Sequence, residues 1–206
     1  MLQKSAIQTA VLALLRALMQ REAFQNMRLA SGTALALQIG HRKSNDLDFF
    51  GTVDFETMDV HEVFAGFSKV ISLQRSKNIN IFNINGIKVD FVNYSYPWLE
   101  EYIMEENIRL AKLPDITAMK LAATTGRGSR KDFVDIYFLL KKYSLKEMLG
   151  FYRKKYFDAS EFLVLKSLTY FEDAEKEPPI ATKDNIPWEK IKGLILKEVS
   201  AFNKTL

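Results

Sequence analysis

The sequence predicts an α+β fold, with a mixed-sheet core over residues 1–112 and a helical C-terminal region over residues 113–206. Three observations predict it. Short runs with apolar residues at every second position crowd the first half of the chain, the mark of half-buried strands. Asn85-Gly86 separates two of these runs and is the strongest short-range hairpin signal a sequence offers. After Pro97 the apolar spacing changes to the threes and fours of helices.

In chain order, Ile7, Val11, Leu14, Leu15 and Leu18 fall at helical spacing with no Gly or Pro among them, which predicts an opening helix over residues 5–20. Residues 27–30 read as a short strand. Ser31-Gly32-Thr33 reads as a tight turn into a second helix over residues 34–38, stopped near Gly40. A strand is expected at 46–50, a helix at 57–67, and three more strands at 70–74, 79–84 and 87–93. A further short strand is expected at 108–112. Helices follow at 115–125, 131–143, 145–155, 160–175 and 188–203, with Pro178-Pro179 setting the last one apart.

The 206 residues are 48% hydrophobic, enough to bury a sizeable core, and disorder is excluded as the default. Cysteine is absent, so disulfides and thiolate metal sites are excluded, and His41 and His61 are too few for a His-rich zinc site. The net charge of +4 is not clustered: Lys and Arg number 10 against 9 Asp and Glu in residues 1–100, and 19 against 16 in residues 101–206. No apolar run is long enough to cross a bilayer, and the expectation is a soluble cytoplasmic protein.

Chemistry concentrates in residues 31–50. Asp46 and Asp48 are two apart in an expected strand, so both side chains leave one face, while Leu47 and Phe49 turn to the other. Two adjacent carboxylates suit a hard cation. The run Ile87-Lys88-Val89-Asp90-Phe91 repeats the pattern, and Asp90 on a neighbouring strand would complete an all-oxygen site. The turn at Ser31-Gly32-Thr33 supplies the complement, because glycine admits a phosphate to the backbone and a helix start presents free N–H groups. Downstream, Lys120 and Thr124 share one stripe of a helix and a lysine there can reach a triphosphate. On the next helix Asp132 and Asp135 lie close to Lys131, where an exposed ion-pair cluster would look much the same.

Taken alone, an Asp-x-Asp is ordinarily a solvated strand end and a Ser-Gly-Thr turn a helix cap. In their order, Leu29-Ala30-Ser31-Gly32-Thr33-Ala34-Leu35 and then His41 to Phe50 resemble the first motif of the nucleotidyltransferase AbiEii/AbiGii toxin family, of the DNA polymerase β-like superfamily. Residues 115–123 resemble its third motif and residues 127–137 its fourth, so the likeness spans about residues 28–140. A second glycine or a Gly-Ser pair is commoner in the family's turn, where this chain has Ser31-Gly32.

The resemblance implies a polymerase-β-like nucleotidyltransferase core in which Asp46, Asp48 and Asp90 hold magnesium, with manganese as the alternative. It implies that Ser31, Gly32, Thr33, Arg42 and Ser44 face a nucleoside triphosphate, with Lys120 assisting its charge and Lys131, Asp132 and Asp135 completing the site. It further implies the toxin of a bacterial toxin–antitoxin or phage abortive-infection system, with a cognate antitoxin and with tRNA or another RNA as acceptor. Rival readings stay open: a nucleotidyltransferase modifying a small molecule or protein, a carboxylate-metal nuclease, or a non-catalytic nucleotide-binding module. The aromatics Phe151, Tyr152, Tyr156, Phe162, Tyr170 and Phe171 read as core, and Lys141-Lys142 and Arg153-Lys154-Lys155 as solvated faces.

Overall fold

The computed structural model describes residues 1–158 and 160–204. The chain divides into two compact units, Met1–Ser95 with Glu101–Ala111, and Tyr96–Glu100 with the chain from Lys112 onward.

The first unit is built on a mixed sheet of seven strands: β1 (Met27–Leu29), β2 (Leu47–Gly51), β3 (Val70–Gln74), β4 (Ile79–Ile84), β5 (Ile87–Asn93), β6 (Ile103–Glu105) and β7 (Ile108–Leu110). Their order is β3-β4-β5-β2-β1-β7-β6, with β2 parallel to β5, β1 parallel to β7 and the other pairs antiparallel. The expected hairpin closes β4 on β5, with Asn85 and Gly86 both at positive φ as its two-residue turn requires. Alternation puts Phe49, Phe82, Val89 and Phe91 on a buried face. Phe91 stacks there on Phe24 at 4.4 Å and on Phe49 at 5.2 Å between ring centroids. Helices α1 (Thr9–Met19) and α2 (Ser31–Ile39) add Leu14, Leu15, Leu18 and Leu35 to the buried set. The Arg109 guanidinium binds the carbonyls of Met27, Phe24 and Met19 at 2.8, 2.9 and 3.1 Å, sealing backbone acceptors beside β1.

Two local expectations differ in this unit. The helix expected at 57–67 is reduced to α3 (Val60–Val63). Asp54 accepts from the Thr57 hydroxyl and Glu56 N–H, Asp59 accepts from the N–H groups of His61 and Glu62, and Gly66 has φ +90°, so side-chain turns take the backbone groups a long helix would use. The strand β6 was not expected. It pairs with β7 through the turn Glu106-Asn107, both at positive φ, and Glu106 is held there by Lys4 and Arg16.

The second unit is helical: α4 (Leu113–Gly126), α5 (Arg130–Leu139), α6 (Leu145–Lys155), α7 (Glu161–Ser167), α8 (Glu172–Glu175) and α9 (Trp188–Asn203). Ser144 and Glu147 form a capping box at the start of α6. The helix expected over 160–175 is split into α7 and α8, because Phe171 turns inward onto Phe133 at 4.8 Å and Trp188 at 6.0 Å. Buried Asp115 ties down the preceding strap: its carboxylate accepts from the N–H groups of Leu99 and Glu100 and from the Lys155 ammonium at 2.6 Å. That ammonium also reaches the Pro97 carbonyl and lies over the Trp98 ring. Of the aromatics read as core, Tyr152, Tyr156 and Phe171 are buried, whereas Phe162 and Tyr170 are 71% and 50% exposed. Spacing alone does not tell which side of so short a helix as α7 finds a partner.

Candidate functional site

Two constellations emerge from the expected residues, one in each unit. In the first unit the parallel pairing of β2 with β5 sets Asp48 directly opposite Asp90, with Leu47 opposite Val89 and Phe49 opposite Phe91. The apolar partners hold the strands from the buried face, and both carboxylates leave the other face half-buried. Asp46 precedes the strand, also half-buried, and its carbonyl accepts from the Thr33 hydroxyl. Among the described residues no three His, Cys, Asp or Glu side chains are gathered as a cation site. What the structure does set together is the Asp48 and Asp90 pair, and both oxygens of Asp90 are engaged by the Lys88 ammonium at 2.7 and 2.6 Å. The donor set is all-oxygen, the chemistry magnesium takes when substrate phosphates and waters supply the remaining ligands.

The turn before α2 is shaped by its neighbours. The helix begins at Ser31 itself, earlier than expected, and Ser31 has φ +61°, a conformation in which glycine is at ease and serine is strained. This is the turn in which a second glycine is commoner in the resembling family. Gly32 lies against Arg42: a Cβ there would lie 2.5 Å from a guanidinium nitrogen, so the end of the arginine would have to shift. Arg42 is buried and donates to the Lys43 carbonyl at 3.0 Å, so its charge is fixed over the turn. Thr33 is fully buried and its hydroxyl also bonds Ser44 Oγ at 2.7 Å, which makes Thr33 a fastener between the start of α2 and the chain leading into β2. Gly40 at φ +66° ends the helix, as expected.

In the second unit Lys120 is only 2% exposed. Its ammonium bonds Asp132 at 3.0 Å and Asp135 at 2.6 Å, both fully buried, which joins α4 to α5. Asp132 also accepts from Arg127 at 2.9 and 3.1 Å and from the Ser129 hydroxyl at 2.7 Å. Burial by itself would raise the Asp132 pKa. The Lys120 charge, the Arg127 guanidinium and the Ser129 hydroxyl outweigh it and hold the carboxyl well below the usual carboxylate range. The stripe expected to present Lys120 to a triphosphate is therefore turned inward, and the two carboxylates expected to complete a site are its partners. Lys131, just before Asp132 in sequence, is exposed. Sequence reasoning missed Lys88, whose signal was present: it stands two residues before Asp90 on one strand, hence on one face.

The family model described as nucleotidyl transferase AbiEii toxin, type IV TA system, matches residues 13–200. A relative in Aquifex aeolicus, the uncharacterized protein aq_aa25, is 38% identical over 181 residues, covering 84% of this chain and 86% of its own. Among solved structures, a proposed nucleotidyltransferase from Helicobacter pylori superposes with a TM-score of 0.65 at 18% identity, over 99% of this chain and 97% of that one. MenT4, a nucleotidyltransferase toxin of Mycobacterium tuberculosis, does so with a TM-score of 0.62 at 15% identity, over 96% and 85%. At such identities these two likenesses establish the fold. No helix among the described residues is long and apolar enough to cross a membrane.

Proposed function

Since this chain belongs to the nucleotidyl transferase AbiEii toxin family, we propose that it transfers a nucleoside monophosphate from a nucleoside triphosphate to an acceptor hydroxyl in a magnesium-dependent reaction. The acceptor in this reading is tRNA or another RNA. The protein would be the toxin of a toxin–antitoxin system with a cognate antitoxin, and its place of action the cytoplasm. The observation that carries the reading is the register of Asp48 against Asp90 on two parallel strands, in the same unit as the turn at Ser31 and Gly32.

Asp48 and Asp90, with Asp46 alongside, would hold the metal, which when bound neutralises charge on the triphosphate and on the leaving pyrophosphate. Backbone N–H groups at the start of α2 and the Arg42 guanidinium, which lies against Gly32, receive phosphate oxygens. The acceptor oxygen attacks the α-phosphorus and forms a new P–O bond. The bond from that phosphorus to the bridging oxygen breaks, and pyrophosphate departs with the electron pair. The hydroxyl proton passes to the Asp90 carboxylate. Within the second unit Lys120 braces α4 on α5 through Asp132 and Asp135, and Lys131 is exposed.

The test is incubation with each α-labelled nucleoside triphosphate, magnesium and total bacterial tRNA, comparing wild type with Asp48→Asn, which keeps shape and removes charge. Label should enter RNA with wild type and fall by at least about a hundredfold with the variant, the scale expected of a group that stabilises transition-state charge. Undiminished transfer by Asp48→Asn would remove the carboxylate pair from the mechanism. Transfer to no RNA would overturn the acceptor.

A further inference from the structure

Lys88 has a role that the transfer reaction alone does not ask for. Its ammonium holds both oxygens of Asp90 at 2.7 and 2.6 Å, on the face where Asp90 stands opposite Asp48. Asp48 and Asp90 sit on adjacent strands, so their carboxylates repel whenever no cation lies between them. Lys88 leaves the same face of β5 two residues earlier and supplies a positive charge there. The pair is not locked in: the Lys88 side chain is 45% exposed and that of Asp90 18%, so water can solvate the ammonium when it lets go. An ammonium and a divalent cation on the same carboxylate repel each other and compete for its lone pairs.

We propose that Lys88 is a built-in stand-in for the metal: it neutralises Asp90 in the metal-free protein, competes with the cation for that carboxylate, and so sets the threshold for metal binding. The proposal rests on the reading of Asp48 and Asp90 as metal ligands. Lys88 is a positioning residue in this account, acting through Asp90. A lysine that merely stiffened the strand would predict the opposite sign, since its loss would loosen the site and weaken the metal. A lysine that competes predicts tighter binding without it. Two effects add: the competitor is gone, and the Asp90 carboxylate, relieved of the ammonium, attracts the cation more strongly.

The experiment titrates Mn2+ alone, followed by its free-ion electron paramagnetic resonance signal, into metal-free wild type, Lys88→Met, Lys88→Arg and Asp48→Asn. Lys88→Met should bind Mn2+ on the order of tenfold more tightly than wild type, the scale of removing one positive charge a few ångströms from a divalent ion in a partly solvated site. Lys88→Arg keeps the positive charge beside Asp90 and should stay within about threefold of wild type. Asp48→Asn should bind weakly. Unchanged or weaker binding by Lys88→Met, with Asp48-dependent binding in wild type, would overturn the stand-in and leave the metal site in place. Binding that is insensitive to Asp48→Asn would overturn both. A urea unfolding curve of each metal-free variant shows that the change in affinity is read on folded protein.

Discussion

Asp90 and Asp132 are each held by a lysine, yet the two pairs sit in opposite surroundings. Lys88 and Asp90 are on one strand, two residues apart, with the lysine side chain 45% exposed. Lys120 and Asp132 come from different helices, with side chains 3% and 0% exposed, and a second carboxylate and a guanidinium close the network. A half-solvated pair can open because water replaces each partner. A buried pair cannot, because either charge left alone has lost its hydration. The first arrangement suits a place where a ligand must enter, and the second suits a joint that must hold.

The sharpest way to break this contrast is Lys120→Met. It leaves Asp132 and Asp135 buried with one cation fewer between them, and should cost about 3–5 kcal/mol in urea unfolding. A loss no larger than that of a surface pair would show that the joint is solvated.

Acid should act on the same joint. The folded pKa of Asp132 lies well below the ordinary carboxylate value of about 4, so its contribution is fully present above that value. As pH falls below about 4 the unfolded chain takes up a proton that the folded chain resists, and stability is lost. The unfolding midpoint of wild type should therefore drop between about pH 4 and pH 2 more steeply than that of Asp132→Asn. Parallel pH profiles would refute the assignment.

The smallest effect belongs to the open pair. Lys88→Met in metal-free protein should change stability by less than about 1 kcal/mol, measured by the same unfolding. A change as large as that of Lys120→Met would mean that Lys88 is structural and would erase the distinction.

Much of the candidate site was legible along the chain. Asp-x-Asp at 46–48, the Asp90 strand and the Ser31-Gly32 turn all lie in runs whose alternation or turn chemistry is local. Lys120 and Asp132 were legible as a helical stripe and its neighbour, but not as inward-facing, because Met119, Leu121 and Ala122 already offered an apolar face and burial of a lysine depends on what arrives opposite it. The helix at 57–67 failed for a local reason, the competing turns of Asp54 and Asp59, which the sequence displayed and the apolar spacing masked. The exposure of Phe162 had no local signal at all.

By itself the sequence determined the residues two apart on a strand, the Asn85-Gly86 hairpin, the stop at Gly40 and helices such as α6 and α9, since each depends on contacts within a few residues. Only the tertiary structure decided that Asp48 faces Asp90, that Arg42 lies over Gly32, and that Lys120 is sealed between two carboxylates. Strands remote in sequence are brought into register by the apolar side chains they share, here Leu47 with Val89 and Phe49 with Phe91. The environment of a charge is set by whichever segment the folded chain packs against it.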